Sequence, residues 1–478
     1  MNLISKNPNR TKMICTMGPA SAQPEILLEM IRSGVDVCRL NFSHGSHEDH
    51  QATLDLIRDI NFRYQTNIGI LVDLQGPKIR VGKLDSPFPI KRGDEVFLST
   101  AIKEQDGNKL PMVYETFAQD VKFDDMVLID DGKVELRVLE TNGTDTVKLK
   151  VINGEKIGSK KGVNLPFTRI SMPSITPKDL IDVEFALKNK AEWIALSFVR
   201  TASEVQELKD LIQSRDGVSR VIAKIEKPEA LENIDEIIAV SDAIMVARGD
   251  LGVEIPMEDV PHWQKHIVRK CNLAAKPVIV ATQMMESMIE NARPTRAETN
   301  DVANAVLDGA DCLMLSGETS VGKYPIEVVV SMQKIISSME QEEQVYFKNI
   351  ELNPRSSTYA SDAICVNACR LSGEIGAKAV VGMTRSGYTA YQLSRCRPKA
   401  PIYIFTDNRS ILNQLNLVWG VTAFYYDGFV STDETITDLA NFLKNREYVK
   451  PGDAIINTAS MPMFARKLTN MIKITIVE

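Results

Sequence analysis

Eight short β-branched runs, each followed by a helix-length amphipathic stretch, constrain the fold of this 478-residue chain more than any other feature. The runs are KMICTMG at 12–18, VCRLNFS at 37–43, IGILVDL at 68–74, WIALSF at 193–198, RVIAKIE at 220–226, DAIMVA at 242–247, PVIVAT at 277–282 and DCLMLS at 311–316. Strands alternating with helices specify a parallel sheet wrapped by helices, and eight such units meet the requirement of a (β/α)8 barrel. Functional side chains of such a barrel stand at the C-terminal ends of its strands, where polar residues occur here.

The alternation breaks once, between Gly76 and Met172. Two hairpin signals, Asp131-Gly132 and Asn142-Gly143, separate runs of alternating side chains, so the stretch reads as a small β-domain. Leaving the barrel after its third strand, it stands over the catalytic face as a hinged β-barrel lid that excludes water. After Gln341 the βα rhythm restarts with strands at 379–384, 401–406, 421–427, 453–459 and 473–478, which predicts a separate doubly wound α/β domain. The expected organisation is a barrel from residues 1–75 and 173–341, a lid from 76–172 and a C-terminal domain from 342–478.

Composition excludes several classes. A formal net charge of −7 leaves no electrostatic footprint for nucleic acid. The N-terminus lacks the apolar core of a signal peptide, and no apolar run reaches the roughly 18 residues of a membrane span. Seven scattered cysteines without a CxxC pair argue against a secreted disulfide framework and fit a reducing cytoplasm.

Chemistry concentrates at residues 220–256. Lys224 and Glu226 are two apart on one strand and share a face, and the next strand delivers Asp250 beside them. Carboxylate oxygens suit a hard cation such as Mg²⁺, and lysine suits a phosphate or a developing enolate oxygen. The alternative is a plain ion-pair cluster at a strand end. The second strand adds Arg39, Asn41 and Ser43, again spaced by two. The guanidinium can fork two phosphate oxygens, while Asn41 and Ser43 can hold a cation, a phosphate or only the loop backbone.

Other patterns are weaker. His44, His47 and His50 lack the cysteine or acidic partner of a zinc site, and His262 and His266 lack the glutamate of HExxH, so both sets read as helix faces. GETSVGK at 317–323 imitates a nucleotide loop, but Tyr324 replaces the required Ser or Thr. Thr384-Arg385-Ser386-Gly387-Tyr388-Thr389 joins a strand to a helix, which makes either an anion nest or an ordinary helix cap.

NFSHGSHEDH at 41–50, LQGPKIR at 74–80, KKGVNLP at 160–166, AKIEKPEA at 223–230, MVARGDLGVEIP at 245–256, ATQMMESM at 281–288 and RPTRAETNDVANAVLDGADCLMLSGETSVGKYP at 293–325 together resemble the pyruvate kinase family over essentially the whole chain. The resemblance implies phosphoryl transfer from phosphoenolpyruvate to ADP by a homotetramer with an allosteric C-terminal domain. It implies that Glu226 and Asp250 hold Mg²⁺ (Mn²⁺ as a substitute), that Lys224 neutralises the moving phosphoryl group and that Arg39 grips the phosphate. Backbone amides of Gly249 and Asp250 would bind the substrate carboxylate, and Thr282 would relay a proton to the enolate. For the nucleotide it points to Asn41, Phe42, Ser43, His44, Arg80 and Lys161.

Many family members place a monovalent cation at the positions of Asn41, Ser43, Asp73 and Leu74, with Thr at the last of these and Glu where this chain has Lys78. Leu74, Gln75, Lys78 and Val81 instead resemble members that work without K⁺, with the lysine ammonium supplying the charge. A phosphorylated effector is expected at Thr384, Ser386, Gly387 and Thr389. The segment 457–471 lacks the glycine-rich stretch that closes over fructose 1,6-bisphosphate, so the effector's identity stays open, with a sugar monophosphate or AMP the first expectation. The competing reading, a Mg²⁺-dependent lyase or aldolase acting on pyruvate enolates, would use Glu226 and Asp250 without needing the lid, Arg80 or Lys161. A catalytically silent metabolite sensor would have lost the lysine or the carboxylates, which are all present.

Overall fold

All eight runs form strands: β1 (Lys12–Thr16), β2 (Val37–Asn41), β3 (Gly69–Asp73), β4 (Trp193–Leu196), β5 (Arg220–Ile225), β6 (Ala243–Ala247), β7 (Val278–Ala281) and β8 (Cys312–Leu315). The structure, a computed structural model, describes residues 9–166, 168–348, 350–428, 431–461 and 467–478. The strands pair in parallel in chain order, and β1 closes the barrel against β8 through Lys12↔Cys312. Alternation divides each strand between two environments. Val37, Leu71, Ala195, Ile222 and Met245 pack inside the barrel, whereas Cys38, Ile70, Val72 and Ile194 join the layer beneath the helices. The same period carries polar residues into the mouth: Arg39 and Asn41 continue the row of Val37, Asp73 that of Leu71, and Lys224 and Glu226 that of Ile222.

Between β3 and β4 the chain forms a seven-stranded sheet and a two-stranded one. The strand Val134–Thr141 pairs antiparallel with Met126–Ile129 and with Thr146–Asn153, as the two hairpin signals require. A bridge from Arg80 to Gly162 draws the edges of the large sheet together around Val96, Leu98, Leu136 and Leu149. A single helical turn, Phe117–Asp120, lies within it; one turn is too short to leave a period in the sequence.

The C-terminal sheet contains β9 (Ala379–Met383), β10 (Ile402–Thr406), β11 (Val421–Tyr425), β12 (Ala454–Ala459) and β13 (Met471–Ile476), in the order β11-β10-β9-β12-β13. The doubly wound pattern holds for four strands, but β13 returns antiparallel to β12 because residues 460–470 are too few for a helical crossover. This domain packs closely against the lower end of the barrel. Leu417 enters the inner barrel cluster from below, and its carbonyl accepts from Cys312 Sγ at 3.1 Å. Arg397, 1 % exposed, lies 3.2 Å from Asp311 Oδ1 and donates at 2.8 Å to Asn272 Oδ1 and to the Gly309 carbonyl. The open lower end of a barrel leaves apolar side chains that something must cover, and here the following domain covers them.

All seven cysteines are free and buried. Among the described residues no helix is long and apolar enough to cross a membrane.

Candidate active site

Lys224 Nζ lies 2.9 Å from Glu226 Oε1 and 3.3 Å from Asp73 Oδ1, and it donates to Ser197 Oγ at 2.8 Å. Asp73 turns its other oxygen to Arg39 Nε at 2.7 Å, while Arg39 Nη1 donates to Thr16 Oγ1 at 2.9 Å. A continuous chain of charge, Arg39, Asp73, Lys224 and Glu226, thus crosses the barrel mouth with every member at most 9 % exposed. Burial pulls the Lys224 ammonium down, but Asp73, Glu226 and Asp250 outweigh it and hold the group above its ordinary range, firmly charged. Burial pushes both carboxyls up. For Asp73 the neighbouring Lys224 and Arg39 reverse that push and leave it below the usual range; for Glu226 burial, reinforced by Asp250, prevails over Lys224.

Glu226 Oε2 accepts from the Phe198 amide at 2.6 Å. Its Oε1, although close to Lys224, is buried and makes no hydrogen bond, so the contact is one of proximity without N–H alignment. Asp250, half-buried in the first turn of the helix Arg248–Glu254, has a carboxylate without an ion pair among the described residues. An unbonded buried oxygen, a carboxyl pushed up by burial and by Asp250, and a second carboxylate without an ion pair among the described residues fit a hard divalent cation. No cluster of three or more His, Cys, Asp or Glu side chains among the described residues could hold a metal. Two carboxylates with substrate oxygens completing the shell is how Mg²⁺ is usually held.

Several expected roles change once neighbours are seen. The Arg39 fork is partly used: with Nε on Asp73, only the end-on pair Nη1 and Nη2 can face a phosphate. Phe42, expected at the nucleotide, is 2 % exposed and stacks on His50 with ring centroids 4.2 Å apart, so its ring belongs to the core. That stack, together with the 2.7 Å contact of His47 Nε2 to Asp182, disposes the neighbouring histidines as packing groups. The Gly249 amide donates to Thr282 Oγ1 at 2.7 Å, because a first-turn N–H has no partner within its helix and takes the nearest hydroxyl. Thr282 is itself held at φ 65°, unusual for a β-branched residue, and its hydroxyl donates to the Ala281 carbonyl at 2.6 Å. Lys161 Nζ pairs with Asp130 Oδ1 at 3.0 Å within the lid, and Arg80 Nη1 donates to the Lys160 carbonyl at 2.9 Å.

Asn41 Oδ1 accepts from the Ser43 amide at 3.1 Å, which curls the loop after β2. His44 is exposed there; burial against the loop first, then Lys78, Arg80 and Arg39, lower its pKa, a sign of excess positive charge. A small open cleft between lid and barrel is lined by Lys78, Asn164, Phe198, Arg200, Lys227 and Asp250.

In the C-terminal domain Thr384 Oγ1 accepts from the Gly387 amide at 3.1 Å, and Gly387 at φ 85° caps the helix Tyr388–Arg395. Thr389 is buried, with its hydroxyl 2.8 Å from that of Thr469, so it cannot meet a ligand as expected. Part of the 457–471 segment, residues 462–466, lies outside the described residues.

Ser197, Thr16, the Phe198 amide and the bridging role of Asp73 were not anticipated. A signal existed for three of them, since the same two-residue period that pairs Lys224 with Glu226 carries Thr16, Asp73 and Ser197 into the mouth.

A buried ammonium and guanidinium held charged at a barrel mouth, with carboxylates free to carry a divalent ion and a lid above, are the equipment of a phosphotransferase. Comparison with known proteins specifies which one. The family model for the pyruvate kinase barrel domain matches residues 8–329, and that for the pyruvate kinase alpha/beta domain matches 362–475. Pyruvate kinases of Staphylococcus epidermidis and Staphylococcus aureus are 41 % identical over 470 residues, covering 98 % of this chain and 80 % of theirs. A crystal structure of a pyruvate kinase from Cryptosporidium parvum superposes with a TM-score of 0.90 at 35 % identity, covering 98 % of this chain and 96 % of that one. The chain belongs to the pyruvate kinase family. Its reaction is phosphoryl transfer from phosphoenolpyruvate to ADP, giving pyruvate and ATP, and the family generally needs Mg²⁺; the lyase reading falls away.

Proposed function

We propose that the chain Arg39, Asp73, Lys224 and Glu226, with Asp250 beside it, performs the phosphoryl transfer. The observation that carries this reading is the run of contacts at 2.7, 3.3 and 2.9 Å that fixes the two cations side by side in a buried mouth. Arg39 grips the phosphate of phosphoenolpyruvate through Nη1 and Nη2, and Lys224 neutralises the group in flight. Glu226 and Asp250 are the residues to hold Mg²⁺ or Mn²⁺, which when bound offsets charge on the transferring oxygens. The amides of Gly249 and Asp250 receive the substrate carboxylate, with the Gly249 amide exchanging its bond to Thr282 for that carboxylate. The Thr282 hydroxyl then passes a proton towards the enolate, through water because a hydroxyl alone is a weak acid. ADP runs past Asn41, Ser43 and His44 and beneath Arg80 and Lys161, where the excess positive charge favours its phosphates. The test is ADP-dependent pyruvate formation with and without Mg²⁺ in the wild type and in Lys224→Met. A loss on the order of 10²–10³ is expected, the usual range for removing one preorganised donor; equal rates in a folded variant remove Lys224 from the mechanism.

We infer further that K⁺ is not required. Leu74 is 1 % exposed and offers no side-chain oxygen, and its carbonyl is taken by the Ser197 hydroxyl at 2.7 Å. Asp73 has both oxygens turned to side-chain cations, while Lys78 is exposed and near enough to His44 to lower its pKa. Activity in sodium-free buffer balanced with tetramethylammonium should equal that with K⁺ present; a strong K⁺ requirement refutes the reading. The homotetramer, a cytoplasmic setting, and a phosphorylated effector at Thr384, Ser386 and Gly387 rest on family resemblance.

A further inference from the structure

Glu254 closes the helix that begins with the Gly249 and Asp250 turn, and its side chain is 1 % exposed. Its Oε1 accepts two bonds: one from Lys227 Nζ at 2.7 Å and one from Asn164 Nδ2 at 2.9 Å. Lys227 directly follows Glu226, and Asn164 belongs to the lid strand Val163–Asn164. Three segments therefore meet on one oxygen: the end of β5, the helix that carries Asp250, and the lid. Glu254 Oε2 is buried with no hydrogen bond, so this carboxylate has no spare partner to replace one it loses. Among the described residues, Asn164 to Glu254 is the only side-chain hydrogen bond joining the lid strands to the barrel. The remaining polar ties at the lid's return, from Arg200 to the carbonyls of Ile170 and Met172, lie at its hinge.

We propose that Asn164, Glu254 and Lys227 are positioning residues that form a latch, holding the lid down on the barrel over the ADP side of the cleft. With the lid down, Asn164 completes the shell of a buried carboxylate. With it raised, Glu254 keeps Lys227 alone. A hydrogen bond to a charged acceptor is strong enough to shift the closed-to-open ratio roughly ten- to hundredfold. This inference rests on the site reading above, in which ADP lies between lid and barrel while phosphoenolpyruvate is held by the barrel.

The two substrates separate a latch from a general structural role. Asn164→Ala leaves the buried Lys227 and Glu254 pair intact, so the barrel folds normally. Its KM for ADP should rise roughly tenfold or more, while KM for phosphoenolpyruvate changes less than about threefold. Hydrogen exchange at the Val163 amide, which donates to the Ile79 carbonyl at 2.9 Å, should quicken while exchange in β5 and β6 stays as in the wild type. Asn164→Asp, which sets a carboxylate against Glu254, should be worse than alanine. In a Lys227→Met, Glu254→Leu background, which replaces the ion pair with apolar groups of similar size, Asn164→Ala should add less than about twofold. A wild-type KM for ADP in Asn164→Ala, parallel changes for both substrates, or full additivity in the double background overturns the latch. An unchanged rate in Lys224→Met would instead overturn the site reading beneath it, so the two failures are distinguishable.

Discussion

Asp73 is the keystone of the buried charge, and Asp73→Asn removes its charge while keeping its shape. At an effective dielectric of 20, the 2.7 Å contact to Arg39 and the 3.3 Å contact to Lys224 correspond to about 6 and about 5 kcal/mol of gross attraction. Desolvation offsets most of this, and removing one partner from a buried pair typically destabilises by about 3–5 kcal/mol because the other charge is left uncompensated. Here two cations are left, although the asparagine oxygen still accepts from one of them and Glu226 still faces Lys224. The expected loss is therefore about 3–5 kcal/mol, or a fall of roughly 6–20 °C in the barrel's calorimetric transition at about 2–4 °C per kcal/mol. Activity should suffer more than stability suggests: Arg39 loses the bond that orients its guanidinium, and a misplacement of about 1 Å costs on the order of 10²-fold. Calorimetry paired with kcat/KM for phosphoenolpyruvate reads both effects. A transition within 2 °C of the wild type (under about 1 kcal/mol) and kcat/KM within about threefold would show that Asp73 is not the counter-ion of these cations.

Leu417→Ala should destabilise by about 2–5 kcal/mol through a cavity at the barrel floor, with kcat within about twofold of wild type because the catalytic mouth is at the opposite end; urea unfolding and steady-state rates check both. Glu298 caps the helix Arg296–Asp308, accepting from the amides of Ser287 and Thr295, each at 2.7 Å. Although burial opposes it, hydrogen bonds from Ser287 and Thr295 lower its pKa, so its stabilisation is complete above the unfolded value, about 4.3, and is lost as pH falls through the depressed folded value. Glu298→Gln should cost about 1 kcal/mol at pH 7, discounted for solvent, and the difference from wild type should vanish in acid unfolding curves below the folded pKa.

Local periodicity made the eight barrel strands legible, because alternation of apolar side chains is written into consecutive residues. It also put Lys224 and Glu226 on one face, which they share in the structure. The antiparallel turn of β13 followed from a connection length that the strand count alone did not weigh. Phe42 shows the limit on the site: its place in a ligand motif said nothing about whether His50 would stack on it. Similarly, the Arg39 donors looked free until Asp73 and Thr16 were seen to occupy two of them.

The amino-acid order by itself determined which residues line the mouth, since a period of two or 3.6 residues is a property of neighbours along the chain. Only the tertiary structure decided that Asp73 bridges Arg39 and Lys224, that Leu417 fills the barrel floor, and that Asn164 from the lid meets Glu254. Those contacts join residues dozens to hundreds of positions apart, where side-chain length, burial and competition among partners choose the pairing, and no local pattern encodes that choice.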